Sequence, residues 1–597
     1  MQVTYKNKGL ERVLIGANIL AAAVCVTSFA MLFGFDEPLL AASILYAVQY
    51  ILLFIFIAEK IIRLINSVSK AEFWRANWFE IPLLLGLGVA IFGAGRWFGK
   101  ADATAVRHAA VGIYLVLQVV IKVCRTVVNL AATGKNPTRT LIASFLVLIT
   151  CGAGLLMLPR SSAGESVGLV DALFTATSAT CVTGLIVKDT GSDFSLMGQM
   201  IILALIQLGG LGIVVFGAVF ALLLGQALSL RESVAMQDLL SARTLSQIGT
   251  MIAFIFVGTV FIEAVGAVIM FGMWDDVPGR VANIQQQWFV SIFHSISAFC
   301  NAGFSLFSDS FVSYNKSWAV YGVVCPLIIL GGLGFSVLYD LLAIVSDRVK
   351  RLFKMWFNKR YRFSMEAPKR MRLQTKIVLS VSTLLVVLGM LGILLFERYA
   401  GASGSADPPS PGVLGALFQS VTARTAGFNT VDISALSASS KFILILLMFI
   451  GGSPGSTAGG IKTVTLAVVI MTVIAALRKR QEVEMFKRSV RVVVVGRAIT
   501  VTLLFFAVLF VATLALSITE SENYGTTFSD IIFETASALG TVGLTTGITP
   551  SLTSVGKLII IVVMLIGRLG PLTLLAAMTF NLRPARYNYP DEAIIVG

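Results

Sequence analysis

Long apolar runs recur from one end of the chain to the other, and they constrain its fold more than any other feature of the sequence. A helix needs about 20 apolar residues to cross the roughly 30 Å hydrocarbon core of a membrane. Twelve such stretches lie near 12–34, 38–63, 76–98, 107–131, 139–159, 196–226, 249–273, 316–346, 374–396, 440–475, 494–517 and 554–580. Because helices pair their own backbone groups in lipid, these runs predict an all-α polytopic membrane protein.

Charged residues are scarce and unevenly placed. They make up 13% of the chain, about half of the roughly 25% found in soluble domains, which excludes a soluble enzyme with one membrane anchor. The net charge is +15, and basic segments lie at 231–243, 347–376, 478–497 and in the tail with Arg583 and Arg586. The positive-inside rule places such segments in the cytoplasm. We therefore expect a multi-pass cell-membrane protein with cytoplasmic basic loops and C-terminus, which meets membrane lipid and no nucleic acid.

The residues that usually carry catalysis or bind metals are few. Six cysteines occur without any CxxC spacing, and His108 and His294 are the two histidines, so a zinc site has little support. The first apolar run, from about Val13 to Phe35, is longer than the apolar region of a signal peptide and has no small-residue cleavage site, so we expect it to be retained. We predict that the chain is not an enzyme and holds no cofactor of its own.

Four short apolar segments repeat the same pattern. The segments at 169–180, 287–299, 411–423 and 526–538 are too short to span a membrane. Each precedes a glycine loop, and the four loops align without gaps as Ser178–Leu185, Ser297–Phe304, Val421–Phe428 and Ser537–Leu544. Successive loop glycines are 119, 124 and 116 residues apart. This spacing predicts four tandem units, each a span, a pore helix, a loop and a second span, around a pseudo-fourfold pore.

The repeat divides the chain into five parts. We expect about four extra transmembrane helices in 1–138 and pore units at 139–230, 231–350, 351–480 and 481–597.

The glycine loops have the composition of a cation filter. Glycine permits positive φ, and inward-facing carbonyls can replace the water shell of a cation. Pore helices that point their C-terminal ends at the axis add a negative dipole there. The fourth loop is also close to the Thr-Val-Gly-Tyr of potassium-channel filters. The predicted filter, whose carbonyls would hold K⁺, comprises Val182, Thr183, Gly184, Asn301, Ala302, Gly303, Thr425, Ala426, Gly427, Thr541, Val542 and Gly543.

A second glycine element recurs 25, 28, 24 and 24 residues after the filter glycines. It reads Gly-Gly-Leu-Gly at 209–212 and 331–334, Gly-Gly-Ser-Pro from 451 and Gly-Arg-Leu-Gly from 567. Residues 451–460 contain five glycines and one proline, too many to remain helical, so we predict a gating loop within the third unit's second span. The candidate gate comprises Gly451, Gly452, Ser453, Pro454, Gly455, Ser456, Thr457, Ala458, Gly459, Gly460, Lys462 and Arg568.

Four charged or titratable residues in the apolar segments need an explanation. A cation within a span costs at least about 2.5–3.5 kcal/mol on insertion scales, so Lys462 and Arg568 either snorkel to the interface or face a partner. At equal depth, Arg568 would face the 451–460 loop across the pore. His294 and Glu534 each lie nine residues before a filter glycine. They support the loops or tune the outer field, or they only satisfy nearby backbone groups.

These features resemble the membrane subunit of the Trk/Ktr/HKT superfamily of potassium transporters, most closely the bacterial Ktr/Trk type. The resemblance covers 139–597 and rests on the four glycine loops, the stretch 451–463, Arg568 and the ending 589–597. It implies K⁺ uptake, with K⁺ as the substrate ion and Na⁺ as a candidate activator. It also implies a homodimer and a cytosolic nucleotide-binding ring of the KTN/RCK type, with the nucleotide on that partner subunit.

Two questions stay open within this resemblance. A Na⁺-selective or mixed K⁺/Na⁺ transporter is the alternative; in the family, serine at the first filter glycine tends to accompany Na⁺ conduction, and Gly184 is glycine here. Residues 1–138 add about four spans to the eight usual in bacterial members. Residues 57–80 look faintly like part of a voltage sensor, but Arg107, Lys122 and Arg125 are fewer than the arginine series that a sensor helix carries, which favours a packing or assembly module.

Overall fold

The computed structural model describes residues 6–78, 80–97, 100–133, 137–212, 248–277, 279–281, 283–357, 369–402, 411–521 and 527–578. Several sequence predictions lie outside these residues. They are the second half of the span near 196–226, the basic segment 231–243, part of the basic segment 347–376, and the tail with Arg583, Arg586 and 589–597.

The described chain is helical almost throughout, which confirms the predicted all-α membrane class. The N-terminal helices are Lys8–Phe33, Ala42–Asn66, Lys70–Ala76, Glu80–Trp97 and Lys100–Thr133. The outer helices, which open each unit, are Pro137–Leu156, Ile248–Met270, Leu373–Ala402 and Val492–Thr519. The four predicted short segments are helices, here called pore helices 1 to 4: Leu169–Cys181, Ile284–Cys300, Val413–Thr422 and Phe528–Gly540.

An inner helix follows each pore helix. The upper segments of the inner helices are Leu196–Leu211, Cys325–Leu333, Ala438–Phe449 and Ser554–Leu569, and Cys325–Leu333 is preceded by the π-helical turn Val320–Val324. The lower segments described are Phe335–Phe357, Thr463–Leu477 and Pro571–Met578. Short 3₁₀ turns lie at Pro159–Ser161, Phe271–Asp276 and Thr549–Ser551.

Five described helices are long and apolar enough to cross a membrane: Gly9–Phe33, Ala42–Asn66, Ile248–Asp276, Leu373–Tyr399 and Val492–Thr519. A sixth candidate consists of Val320–Leu333 and Phe335–Phe353, which meet at an angle of 104°. The twelve predicted runs therefore do not all correspond to long helices. Much of the remaining apolar sequence lies in shorter helices because the inner helices are interrupted at glycines.

The inner helices break at one repeated position. In units 1, 2 and 4 the upper segment ends at the last glycine of the second glycine element, where Gly212, Gly334 and Gly570 have φ of +81°, +87° and +83°. Residues other than glycine rarely adopt such φ values, and an α-helix cannot continue through a residue that has one. The sequence predicted a break in the third unit, where the structure has one between Phe449 and Thr463. The runs near 316–346 and 554–580 are also interrupted, because Gly334 and Gly570 end the upper helical segment in each of them.

A small hairpin interrupts the helical pattern within the basic segment 478–497. Strands Val483–Met485 and Arg488–Val490 are antiparallel, and the turn residues Phe486 and Lys487 have φ of +50° and +62°. Two positive φ values are typical of a type I′ turn. The sequence predicted only a loop here, because the turn lacks the glycine or asparagine that is typical of such a hairpin.

The pore helices form the interior of the molecule. Each contains at least one fully buried phenylalanine near its middle: Phe174, Phe293, Phe418 and Phe533. The outer helices instead leave large apolar side chains on the surface, such as Phe261 and Phe510, which are 67% and 72% exposed. Such a surface suits hydrocarbon rather than water as its neighbour. The loops that follow the pore helices therefore lie inside the molecule, surrounded by the pore helices and then by the outer helices.

Candidate functional site

The structure brings the four predicted filter glycines together in a closed ring. A Cβ atom built on Gly184 would lie less than 3.0 Å from the carbonyl oxygen of Ala302, the residue before the next glycine. The same relation links Gly303 to Ala426, Gly427 to Val542, and Gly543 back to Thr183. Each loop thus presents its carbonyl to the glycine of the preceding loop. The four loops surround one axis in the order of the sequence.

The backbone of this ring needs glycine for a second reason. The four ring glycines have φ between +71° and +95°. Two residues before each ring glycine, the backbone again has a positive φ, at Val182, Asn301, Thr425 and Thr541. The chain therefore turns sharply at the C-terminal end of each pore helix, where the helix dipole is negative. Backbone oxygens and four helix C-termini meet at one place, which is an arrangement that attracts a cation.

Buried serines on the pore helices bind the backbone of the first and fourth loops. The Ser178 hydroxyl oxygen accepts a hydrogen bond from the backbone N–H of Gly184 at 3.1 Å. Ser537 accepts the equivalent bond from Gly543, also at 3.1 Å. The sequence pattern predicted no role for these serines, although their equal spacing from the filter glycines could have revealed one.

The second and third loops use a related bond with the opposite direction. The Ser297 hydroxyl donates to the carbonyl of Phe304 at 2.8 Å, and the Thr422 hydroxyl donates to Phe428 at 2.7 Å. The gapless alignment matches Val421 with the serines of the other loops. In the structure, Thr422 makes the hydrogen bond instead. The third loop therefore has one residue fewer between the hydroxyl-bearing residue and the filter glycine.

Arg424 is a further anchor of the third loop. Its guanidinium donates to the hydroxyl of Ser382 on the outer helix of unit 3 at 3.1 Å. A small crevice beside it is lined by Ile328, Gly332 and Val386, among others. An arginine inside a membrane protein normally faces a partner or a cavity, and the half-buried Arg424 has both. Arg424 lies within the predicted third loop, Val421–Phe428, and the sequence pattern predicted no role for it.

Removing the hydroxyls behind the loops should loosen the ring. In Ser178→Ala and Ser537→Ala, a buried glycine N–H would lose its acceptor, which costs about 1–3 kcal/mol. We expect the K⁺/Na⁺ uptake ratio to fall several-fold in each variant, and the exposed Ser192→Ala to serve as the matched control. Tracer uptake from mixed K⁺ and Na⁺ solutions measures this ratio. Ratios equal to that of the control would remove these serines from the site.

His294 and Glu534 are fully buried and bind the chain that follows the loop in their own units. The His294 ring nitrogens lie 2.8 Å from the Val290 carbonyl and 3.0 Å from the Ser305 hydroxyl. The Glu534 carboxylate accepts a hydrogen bond from the hydroxyl of Thr549. These contacts agree with loop support, and they also satisfy local polar groups, so both interpretations from the sequence remain.

Two buried carboxylates that sequence analysis did not identify cap the inner helices of units 3 and 4. Glu397 accepts from the N–H and hydroxyl of Ser437 at 3.0 and 2.7 Å. Glu520 accepts from the N–H and hydroxyl of Thr553 at 3.2 and 2.7 Å. Ser437 and Thr553 each follow a filter glycine by ten residues, which was the signal that could have revealed the pair.

The second glycine elements pack directly beneath the ring. Cβ atoms built on Gly209, Gly331 and Gly567 would lie less than 3.0 Å from carbonyl oxygens of their own units, those of Thr180, Phe299 and Leu539. Each of these carbonyls lies four residues before a filter glycine. Units 1, 2 and 4 therefore share one packing arrangement at one depth, and a side chain at these glycines would push the pore helix away.

The 451–460 loop spans from the third unit to the second at this depth. The Ser453 N–H donates to the Gly332 carbonyl at 3.0 Å, and the Phe335 N–H donates to the Gly455 carbonyl at 3.0 Å. The Thr457 hydroxyl donates to the Gly331 carbonyl at 3.2 Å. The loop is held by hydrogen bonds to a neighbouring unit, and no helix runs through it.

Arg568 joins the loop from the opposite side. One guanidinium nitrogen donates to the Thr457 carbonyl, and another donates to the carbonyls of Gly209 and Gly210 at 2.5 and 3.3 Å. This is the contact between Arg568 and the 451–460 loop that the equal depth predicted. Lys462 donates to the Ala458 carbonyl at 2.6 Å. Both cations are half-buried and bind backbone oxygens of the interrupted segments.

The fold and this site together define a class: an all-α polytopic membrane protein with four repeated pore helices and loops around one axis. The family model described as TrkH, cation transport protein, matches residues 108–587. The chain belongs to this family.

Known proteins similar to the chain include two bacterial uptake proteins. The Ktr system potassium uptake protein B of Bacillus subtilis is 38% identical over 472 residues, which are 77% of this chain and 97% of that protein. The potassium/sodium uptake protein NtpJ of Enterococcus hirae is 36% identical over 465 residues, 77% of this chain and 97% of its own. The crystal structure of the potassium transporter TrkH from Vibrio parahaemolyticus matches the fold with a TM-score of 0.57 at 19% identity, over 84% of this chain and 96% of that one.

Proposed function

We propose that the chain takes up K⁺ across the cell membrane through the four-loop ring, which acts as its selectivity filter. The observation that carries the proposal is the closed ring, in which each filter glycine faces the carbonyl of the next loop. A K⁺ ion on this axis would exchange its water for backbone oxygens, and transport would need no covalent step. The name of the Bacillus subtilis relative, a potassium uptake protein, supports the same ion.

A Na⁺-selective or mixed K⁺/Na⁺ transporter is the second candidate. The specific observation in its favour is the name of the Enterococcus hirae relative, which includes sodium. Growth rescue of a cell that lacks potassium uptake, together with rubidium tracer uptake in the presence and absence of Na⁺, tests both. Rescue with uptake that excess Na⁺ does not displace supports K⁺ selectivity. Uptake of Na⁺ at an equal rate would favour the second candidate, and no cation uptake by membrane-inserted protein would contradict both.

The proposed gate lies directly below the filter. Residues 451–460 and the side chains of Lys462 and Arg568 would close the path, because the loop occupies the level at which the second glycine elements meet. The proposal is supported by the hydrogen bonds that join the loop to units 2 and 4, and by Arg568, which binds the loop and unit 1 at the same time. Opening would then require the loop to leave the axis.

The proposed assembly is a homodimer in which each chain has its own pore, with a cytosolic nucleotide-binding ring of the KTN/RCK type as the regulatory partner. The name of the Bacillus subtilis relative describes it as part of a Ktr system. The basic loops, placed in the cytoplasm by the positive-inside rule, would face that partner and the anionic lipid surface. Nucleotide would bind the ring, and Na⁺ is a candidate activator.

Removal of the N-terminal helices should leave conduction intact. All proposed filter and gate residues follow residue 138, and 97% of the Bacillus subtilis protein is matched by 77% of this chain. We therefore expect residues 139–597, given a new start, to support rubidium uptake within about threefold of the full chain, since no ion-binding carbonyl is lost. Loss of uptake by a truncated protein that is inserted and dimeric would contradict this expectation.

A further inference from the structure

A carboxyl group is buried inside the outer helix of unit 2. Glu263 belongs to the helix Ile248–Met270, which lies within a candidate membrane span, and it is 7% exposed. Ionisable side chains within spans are costly and normally have a partner that marks a function. In the ranges that the structure describes, Glu263 forms no ion pair. Neither the filter nor the gate described above includes this residue.

The repeat itself does not require a carboxyl group at this position. The Ser295 hydroxyl, on pore helix 2, donates to the backbone carbonyl of Glu263 at 2.6 Å. The Ser420 hydroxyl, on pore helix 3, donates to the backbone carbonyl of Val386 at 2.8 Å. Glu263 and Val386 thus occupy the same place in their units, and an apolar side chain is sufficient for helix packing in unit 3. Packing alone therefore does not explain the carboxyl group of unit 2.

The Glu263 side chain links unit 2 to unit 1. The amide nitrogen of Gln207, on the inner helix of unit 1, donates to one carboxyl oxygen at 3.2 Å. The sulfur of Cys300 lies 3.8 Å from the other carboxyl oxygen and 3.6 Å from the amide oxygen of Gln207. Its S–H group can donate to either oxygen. An outer helix, a pore helix and the inner helix of the preceding unit therefore meet in one polar cluster.

This cluster lies where the second loop enters the ring. Pore helix 2 ends at Cys300, and the second filter segment follows directly. A Cβ built on Gly210 would lie 2.8 Å from the Cys300 sulfur, so the inner helix of unit 1 contacts the same residue. Two residues after Cys300, the carbonyl of Ala302 packs against Gly184 of the first loop. The contact between loops 1 and 2 therefore depends on how Cys300 sits against unit 1.

We propose that Glu263 is a positioning residue for ion selectivity, which holds the end of pore helix 2 against the inner helix of unit 1 through Gln207 and Cys300. The inference rests on the proposed function of the ring as a selectivity filter. Glu263 acts through the second loop and not on the ion itself. Without this link, the second loop can shift against the first, and the spacing of the carbonyls that would replace the water of K⁺ is no longer fixed.

Breaking the link from either side should lower selectivity. Glu263→Leu leaves the Gln207 amide without its acceptor, and Gln207→Leu leaves the carboxyl group without its donor. We expect the K⁺/Na⁺ uptake ratio of each variant to fall about three- to tenfold, the effect of losing about one buried hydrogen bond. Glu263→Gln keeps an oxygen that can accept from Gln207, so its ratio should stay within about twofold of the wild type.

A double variant separates positioning from a merely structural role. When both partners of a buried hydrogen bond are replaced by apolar groups, stability is nearly unchanged. Glu263→Leu combined with Gln207→Leu should therefore unfold near the wild-type temperature and still have the lowered ratio. The matched control is Thr259→Val, one helical turn before Glu263. Thr259 is 1% exposed, and its hydroxyl has no hydrogen-bond partner within the described part of the chain, so the control should keep the wild-type ratio.

The measurement is tracer uptake from mixed K⁺ and Na⁺ solutions by the full-length chain at equal membrane expression, together with thermal unfolding of each purified variant. A control-like ratio in Glu263→Leu and Gln207→Leu would overturn the positioning role. A ratio that recovers with stability in the double variant would also overturn it, as would a loss in Glu263→Gln equal to that in Glu263→Leu. These outcomes leave the proposed transport intact. No cation uptake by inserted wild-type protein would instead contradict the transport, and the positioning role with it.

Discussion

Serine in place of any one of Gly184, Gly303, Gly427 and Gly543 is expected to lower the K⁺/Na⁺ uptake ratio at least about tenfold, the change that 1.4 kcal/mol produces. Two effects add up. A side chain at the φ values of +71° to +95° found at these glycines is strained, at a cost of about 1–3 kcal/mol. The added Cβ would also collide with the carbonyl of the next loop. That carbonyl must move, and the cage loses the geometry that distinguishes K⁺ from Na⁺.

The glycine at 164 provides a matched control for this experiment. It lies in unit 1 between the outer helix and pore helix 1, and a Cβ built there has no atom within 4 Å. Gly164→Ser should therefore keep the wild-type ratio. The measurement is tracer uptake of both ions by each variant at equal membrane expression. If all four ring variants retain the ratio of this control, the filter assignment is wrong.

The ring could be predicted from the sequence because its requirement is local and repeated. A backbone with positive φ and no room for a side chain selects glycine at one position, and four copies make that selection visible without any structure. The pore helices were predictable for a similar reason, since apolar runs of 12 or 13 residues between longer spans are too short to cross hydrocarbon. The depth shared by Arg568 and the 451–460 loop followed from equal spacing alone.

Other features depended on information that the sequence pattern does not carry. The Gly-Gly-Leu-Gly elements are apolar throughout, so hydropathy extends the span across Gly334 although the chain turns there by 104°. In the third loop the hydroxyl comes from Thr422 and not from Val421, which is the residue aligned with the serines of the other loops. A gapless alignment cannot detect this shift of one residue. Among the N-terminal helices, Glu59 and Lys122 form an ion pair across 63 positions of the chain, and only packing reveals the pair. Local rules thus predicted the loops, and long-range packing determined the contacts that hold them.

Removal of the Arg568 guanidinium is expected to raise K⁺ flux about ten- to a hundredfold and to reduce dependence on the proposed cytosolic partner. The side chain donates to Thr457 on one side and to Gly209 and Gly210 on the other. Hydrogen bonds to a charged group are worth about 1.5–3 kcal/mol each, so Arg568→Ala frees the loop from its main cross-pore tether. It also removes a positive charge that repels K⁺ at low local dielectric. Rubidium tracer flux with and without the partner measures both changes.

Arg568→Lys separates the tether from the charge. Lysine keeps the positive charge but cannot reproduce the planar fork that reaches carbonyls of two units at once. If the tether closes the path, Arg568→Lys raises flux nearly as much as Arg568→Ala, and deletion of Gly459 and Gly460 from the loop does the same. If the charge alone closes the path, Arg568→Lys stays near the wild type while Arg568→Ala opens. Arg160→Ala, at a half-exposed arginine outside the ring, is the control for loss of a cation. Wild-type flux in both Arg568→Ala and the loop deletion, at normal membrane expression, would show that this region is not the gate.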